Sequence, residues 1–178
     1  MQYRRHTQSD VPAIVQLFTS VFADAEGDAE GELIGRLAKD LFEQTDQRDL
    51  FNFVAASQGE IVGSIFFTRL TFQASGPVFL LAPVAVRTDK QGQGVGQALI
   101  RHGLQAVREQ GVVAALTYGD PRFYTKVGFR GISEQTIAAP YELSQPEGWL
   151  GQSLAGTSLE TLAGKCACVE AFREPDYW

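Results

Sequence analysis

Cysteine, histidine and methionine are scarce in this chain of 178 residues, which has two, two and one of them. A zinc centre draws several His and Cys ligands together, and a disulfide framework needs several cysteine pairs, so neither is expected. Cys166 and Cys168 stand at i, i+2 in an apolar run. That places both on one face of a strand in poor geometry to bridge each other, so they read as small core hydrophobes. Long apolar stretches are also missing. The longest, around residues 78–86, is too short to span a bilayer, and Met1-Gln2-Tyr3-Arg4-Arg5-His6 lacks the apolar core of a signal peptide. Excess positive charge is missing too: 15 Lys and Arg stand against 21 Asp and Glu, for a formal net charge of −6. An acidic chain is repelled at long range by nucleic acid and by anionic lipid, so no nucleic-acid or membrane partner is expected, and a cytoplasmic location is. Two nucleotide signatures fail. No G-x-x-x-x-G-K-[ST] run exists, and G-x-G-x-x-G breaks because position 97 is Gln97, which weakens a dinucleotide-dependent oxidoreductase.

What is present is a chain with 44% apolar residues, enough for one packed core, read as a single domain over residues 1–178. Its most informative stretch is Val84-Ala85-Val86-Arg87-Thr88-Asp89-Lys90-Gln91-Gly92-Gln93-Gly94-Val95-Gly96. An apolar strand there runs into a glycine-rich turn that opens a helix. The first turn of a helix carries N–H groups without intrahelical partners, and the peptide dipoles place partial positive charge at that end. Gly92, Gly94 and Gly96 remove side chains that would hold a diphosphate away from the backbone and tolerate positive φ. Arg87 and Lys90 are expected to add positive charge at the rim.

The run Gln91-Gly92-Gln93-Gly94-Val95-Gly96 resembles the Q/R-x-x-G-x-G/A motif of the Gcn5-related N-acetyltransferase (GNAT) superfamily, where this turn holds the pyrophosphate of acetyl-coenzyme A. Downstream, Tyr124-Thr125-Lys126-Val127-Gly128-Phe129 resembles the superfamily's Tyr-x-x-x-Gly-Phe segment, and the adjoining Gly119-Asp120-Pro121 is similar to a bacterial subgroup of predicted acetyltransferases. The resemblance covers about residues 79–132. It implies an α/β fold with a mixed central sheet, helices on both faces and a bulged strand splayed from its neighbour at the cofactor cleft. It also implies acetyl-CoA as cosubstrate with no metal, and an amine acceptor on a small molecule or peptide.

The remaining pattern agrees in order. Residues 2–5 read as a strand, with Ser9 and Asp10 supplying cap chemistry and Pro12 early in the next helix. Val11, Ile14, Val15, Leu17, Phe18, Val21 and Phe22 then recur at helical steps. Residues 24–31 read as an acidic connection before a second helix marked by Leu33, Ile34, Leu37, Leu41 and Phe42. Residues 51–56 and 61–68 read as an antiparallel hairpin, and 78–86 as a further strand. Beyond the glycine turn a helix carries Val95, Ala98, Leu99, Ala106 and Val107 on one face and His102 on its polar side, ending at Gly111. A buried strand is expected at 112–117, a short helix at 121–127, strands near 132–138 and 165–172, and an irregular insertion at 140–160.

The amine must be neutral to attack directly, and the departing thiolate leaves better when protonated. Tyr124 resembles the superfamily's general acid. Val84, Ala85 and Val86 are expected to pair with the amides of the pantetheine arm, Pro83 marking an edge-like or bulged position. The turn from Gln91 through Gly92, Gln93, Gly94 and Val95 to Gly96 is expected to hold the diphosphate. No general base stands out among Asp24, Glu26, Asp28 and Asp120, the last of which reads as a helix cap. The alternative is a non-catalytic acyl-CoA-binding or regulatory module that keeps the turn without turnover.

Overall fold

The computed structural model describes residues 1–73, 76–156 and 158–178. The chain divides into two compact units, residues 1–66 with 83–103, and residues 67–82 with 104–178.

In the first unit, β1 (Gln2–Arg5) pairs antiparallel with β2 (Leu50–Ser57), Tyr3 standing opposite Ala55. The Asp10 carboxylate does not cap the helix that follows it. It accepts from the Thr7 N–H at 2.7 Å and from the Arg4 guanidinium at 2.7 and 3.0 Å, closing a short 3-10 turn. α1 (Val11–Glu26) therefore starts without a side-chain cap, with Pro12 in its first turn, where a missing donor costs nothing. Its apolar stripe, Ile14, Leu17, Phe18 and Val21, is buried as the spacing implies. The expected acidic connection at 24–31 is corrected to a single residue. α1 runs to Glu26, α2 (Asp28–Gln44) begins at Asp28, and only Gly27, at φ 100°, lies between. Glycine permits that reversal, and Asp28 and Glu30 suit the positive end of the second helix. The two helices cross closely: a Cβ on Gly31 would lie 2.6 Å from the Thr19 carbonyl oxygen, and one on Gly35 would strike Thr19 Oγ1.

Gln58 (φ 52°) and Gly59 (φ 84°) form the two-residue, left-handed connection that suits the twist of a hairpin, joining β2 to β3 (Glu60–Leu70). The Phe18 and Phe42 rings meet Phe66 of β3 at 5.5 and 4.9 Å. Burying each such ring contributes about 1.5–3 kcal/mol. β4 (Val78–Val86) matches the expected strand, and α3 (Val95–Glu109) follows the glycine turn.

In the second unit, β5 (Ala114–Tyr118) runs parallel to β4 from Val78↔Ala114 to Leu81↔Thr117. α4 (Pro121–Tyr124) passes into a 3-10 turn at Thr125–Val127. The expected strand at 132–138 resolves into β6 (Arg130–Gly131) and β7 (Ile137–Ala138). The 140–160 segment, of which Thr157 lies outside the described residues, is not irregular throughout. It contains β8 (Trp149–Ser153), antiparallel to β5 over five pairs. The expected strand at 165–172 reduces to β9 (Gly164–Lys165), an isolated bridge from Ala167 to Thr71 and a 3-10 turn at Glu170–Phe172. The strands form a mixed seven-stranded sheet in the order β1-β2-β3-β4-β5-β8-β6, and β7 pairs with β9 separately.

Candidate active site

The glycine turn belongs to the first unit. The Arg87 N–H donates to the Val62 carbonyl at 2.8 Å, a 3-10 turn covers Thr88–Lys90, and Gly92 (φ 72°) and Gly94 (φ 81°) take left-handed conformations. The Ala98 N–H reaches the Gly94 carbonyl at 3.0 Å, opening the α3 ladder. The N–H groups of Val95, Gly96 and Gln97 therefore precede it, with no acceptor inside the helix. A Cβ placed on Gly92 or Gly94 would meet nothing within 4 Å, so open space lies in front of both. A left-handed backbone, open space before it and a helix start behind fit a bulky anion such as a diphosphate.

Side chains brace the turn from behind. Gln91 Nε2 donates to the Val86 carbonyl and Gln93 Nε2 to the Asp89 carbonyl, each at 2.9 Å, while Thr88 Oγ1 donates to Asp24 at 2.7 Å. The glutamine side chains thus spend amide protons on their own loop. The expected cationic rim is corrected as well. Arg87 is held by Asp89 at 2.6 Å and by Glu60 at 2.9 Å, and Lys90 lies 3.9 Å from Asp89. With Asp24 added, the three carboxylates Asp24, Glu60 and Asp89 face the two cations Arg87 and Lys90, so side-chain charge adds little pull on an anion and the main chain supplies the donors.

His102, expected on the solvated side of α3, instead packs its ring 6.2 Å from Tyr3 and edge-on to Phe53 at 5.7 Å. Within β4, Pro83 and Ala85 are buried while Ala82, Val84 and Val86 are half-buried.

Tyr124 belongs to the second unit. Asp120 caps α4 by accepting from the Arg122 N–H at 2.8 Å, and the Arg122 guanidinium lies 3.0 Å from its carboxylate. Those bonds hold the carboxyl below its usual range and make it a poor proton acceptor. Tyr124, only 9% exposed, is boxed between the rings of Phe123 at 5.1 Å and Phe129 at 5.8 Å, both edge-on. Gly119 admits the ring, since a Cβ there would lie 2.6 Å from Tyr124 Cε2. Burial pushes the phenol up to about 12, against a smaller downward pull from the Thr117 hydroxyl. The phenol is therefore protonated throughout the neutral range. Thr117 is itself fully buried, and its Oγ1 donates to the Leu81 carbonyl at 2.7 Å. Nothing in the sequence singles out Thr117, because the carbonyl it meets arrives from a parallel strand.

Asp24 is engaged by Thr88, and Glu30 is raised by partial burial and then by the charge of Glu26. Cys166 and Cys168 are buried and free; burial pushes the Cys166 thiol up to about 12 and raises that of Cys168, as suits core residues. Among the described residues, no helix is long and apolar enough to cross a membrane.

Comparison with known proteins follows the same lines. Residues 2–132 match the family model described as an acetyltransferase (GNAT) domain. The uncharacterized N-acetyltransferase YjhQ of Escherichia coli K12 is 33% identical over 140 residues, 75% of this chain and 77% of that protein. The crystal structure of the GNAT family N-acetyltransferase YhbS from Escherichia coli in complex with CoA has a TM-score of 0.80 at 26% identity, covering 97% of this chain and 92% of that one. A GNAT family acetyltransferase from Brucella melitensis in complex with acetyl-CoA shares the fold, with a TM-score of 0.75 at 23% identity over 96% of this chain and 97% of its own.

Proposed function

This chain belongs to the GNAT acetyltransferase family, and from that premise we propose that it transfers the acetyl group of acetyl-CoA to a primary amine of a small molecule or peptide by direct attack. The proposal treats residues 1–178 as a single acetyltransferase domain. The observation that carries it is the turn at residues 91–96: left-handed Gly92 and Gly94 facing open space at the start of α3.

Gln91 lends its N–H to the Thr88 carbonyl at 3.4 Å and so frames the start of the cradle, while the main-chain N–H groups of Gly92, Gln93, Gly94, Val95 and Gly96 hold the diphosphate, in the field of the helix start. Val84, Ala85 and Val86 offer backbone to the pantetheine amides. The end of the β4–β5 register at Leu81↔Thr117, with the Leu81 carbonyl met by a side chain, supports a strand that leaves its neighbour there. Bound acetyl-CoA supplies the activated thioester. Tyr124 holds the proton that the leaving sulfur takes. Its buried, protonated phenol supports that role, because a donor must carry its proton at the working pH.

Calorimetry with coenzyme A, followed by thiol release from acetyl-CoA across a panel of primary amines, tests the reading. Binding with turnover of an amine is expected, and Tyr124→Phe should slow turnover while leaving coenzyme affinity unchanged. Failure to bind coenzyme A would end the proposal. Binding with no turnover across the panel would point to an acyl-CoA-binding module.

A further inference from the structure

Asp24 occupies a position that local rules disfavour. It lies in the last turn of α1, which also holds Glu26 and no basic residue, so two carboxylates face the negative end of the helix. It also lies beside a turn read as a seat for an anion, where a further negative charge opposes binding. A residue that breaks local preference twice points to a role set by the wider fold. Among the described residues its side chain takes one hydrogen bond: Thr88 Oγ1 donates to Asp24 Oδ2 at 2.7 Å, from 64 positions away in sequence.

Thr88 is the first residue of the 3-10 turn that leads into the cradle. Its carbonyl accepts the Gln91 N–H at 3.4 Å, and the Gln91 side chain reaches back to the Val86 carbonyl at 2.9 Å. Where Thr88 sits therefore fixes where Gly92 and Gly94 present their N–H groups. The preceding residue is tied to the hairpin, by the Arg87 N–H on the Val62 carbonyl at 2.8 Å and by the guanidinium on Glu60 at 2.9 Å. Asp24 supplies the tie to α1. Main-chain donors serve an anion best when they already converge before it arrives, because ordering them on binding costs affinity.

We propose that Asp24 is a positioning residue for the coenzyme: through Thr88 it fixes the lead-in to the diphosphate turn, a geometric gain that outweighs the repulsion of its charge. This rests on the reading of residues 91–96 as the cradle, and it gives Asp24 a role other than general base.

Geometry and charge predict opposite signs in one experiment. Asp24→Ala removes the charge and the acceptor, whereas Asp24→Asn removes the charge and keeps an oxygen for Thr88. Calorimetry with coenzyme A should show about fivefold weaker binding in Asp24→Ala and affinity within about twofold of the parent in Asp24→Asn. Thr88→Val should match the alanine variant and Thr88→Ser the parent. The double variant Asp24→Ala/Thr88→Val should bind no more weakly than either single variant, because both changes remove the same bond. In turnover, KM for acetyl-CoA should rise in step with the loss of affinity while kcat holds. Equal or tighter binding in Asp24→Ala would overturn the proposal and leave the cradle standing. So would additive losses in the double variant, or a kcat that falls alike in Asp24→Ala and Asp24→Asn, the pattern of a lost base. Failure of the unaltered protein to bind coenzyme A would remove the cradle itself, and this inference with it.

Discussion

Gly119→Ala isolates the seat of Tyr124 in a single methyl group. Gly119 does not have a left-handed φ, so alanine meets no backbone penalty there. The methyl carbon would lie 2.6 Å from Cε2, 3.4 Å from Cδ2 and 3.6 Å from Cζ of Tyr124. Carbon atoms rest at about 3.5–4.0 Å, so the ring edge must retreat by about 1 Å. The Phe123 and Phe129 rings leave it no free direction. Overpacking of this kind costs about 1–3 kcal/mol of stability. A 1 Å displacement of a reacting group costs on the order of 100-fold in rate. The assay is kcat/KM by thiol release, with calorimetry of coenzyme A and thermal unfolding alongside. We expect a loss of about 100-fold in kcat, little change in coenzyme affinity and a lowered Tm. The double variant Gly119→Ala/Tyr124→Phe should be no slower than Tyr124→Phe alone, because the methyl acts only through the phenol. Wild-type turnover in Gly119→Ala, or additive losses in the double variant, would refute the assignment.

Other expectations can be checked in the same preparations. Gly94→Val forces a β-branched residue into φ 81° and fills the open space, so coenzyme A binding should weaken at least about tenfold by calorimetry. Gly111→Val, at a similarly left-handed φ of 87°, should lower Tm without that change. Gly35→Ala drives a methyl into Thr19 Oγ1 and should cost about 1–3 kcal/mol in denaturant unfolding. Asp10 is held well below the usual carboxylate range, first by its hydrogen bonds from Arg4. A group depressed on folding stabilises above its unfolded value of about 3.9, and that stability is lost as pH falls below it. Asp10→Asn should therefore lose about 1–2 kcal/mol at neutral pH, allowing for screening at the 31% exposed Arg4, and the gap to wild type should close in acid. Cys166 and Cys168 should resist alkylation in the native protein and react once it is unfolded, because the thiolate is the reactive form.

The elements legible in the sequence were those whose cause is local. The hairpin turn is marked by Gly59 and the cradle by Gly92 and Gly94, glycines that take left-handed angles without a side-chain penalty. The stripe of α1 is written in its spacing. β8 was hidden because Gly151 sits in its middle. That glycine is needed for close approach, since a Cβ there would lie 2.8 Å from Leu159 and 2.9 Å from Leu116, residues distant along the chain. His102 was misplaced for a related reason: the rings that cover it come from β1 and β2, which helical spacing cannot register. The apolar run at 165–172 read as a strand, but among the described residues it pairs through β9 with β7 and at Ala167 with Thr71 before turning into a 3-10 helix. In the site, glycines and the tyrosine announced themselves by motif. The Glu60 countercharge on Arg87 and the hydroxyl that Thr117 turns to the Leu81 carbonyl are tertiary facts.

The closure of Arg87 by Asp89 and Glu60 bears on how ions in the medium act at the turn. Dissolved salt weakens attraction between separated, exposed charges over about 8–10 Å, and leaves contact bonds from amides in place. A diphosphate gripped by peptide groups, with the nearby guanidinium already neutralised, is drawn in only at close range. Its affinity is then set by the shape of the backbone, and added salt, which screens the repulsion from the surplus carboxylates, should not weaken it.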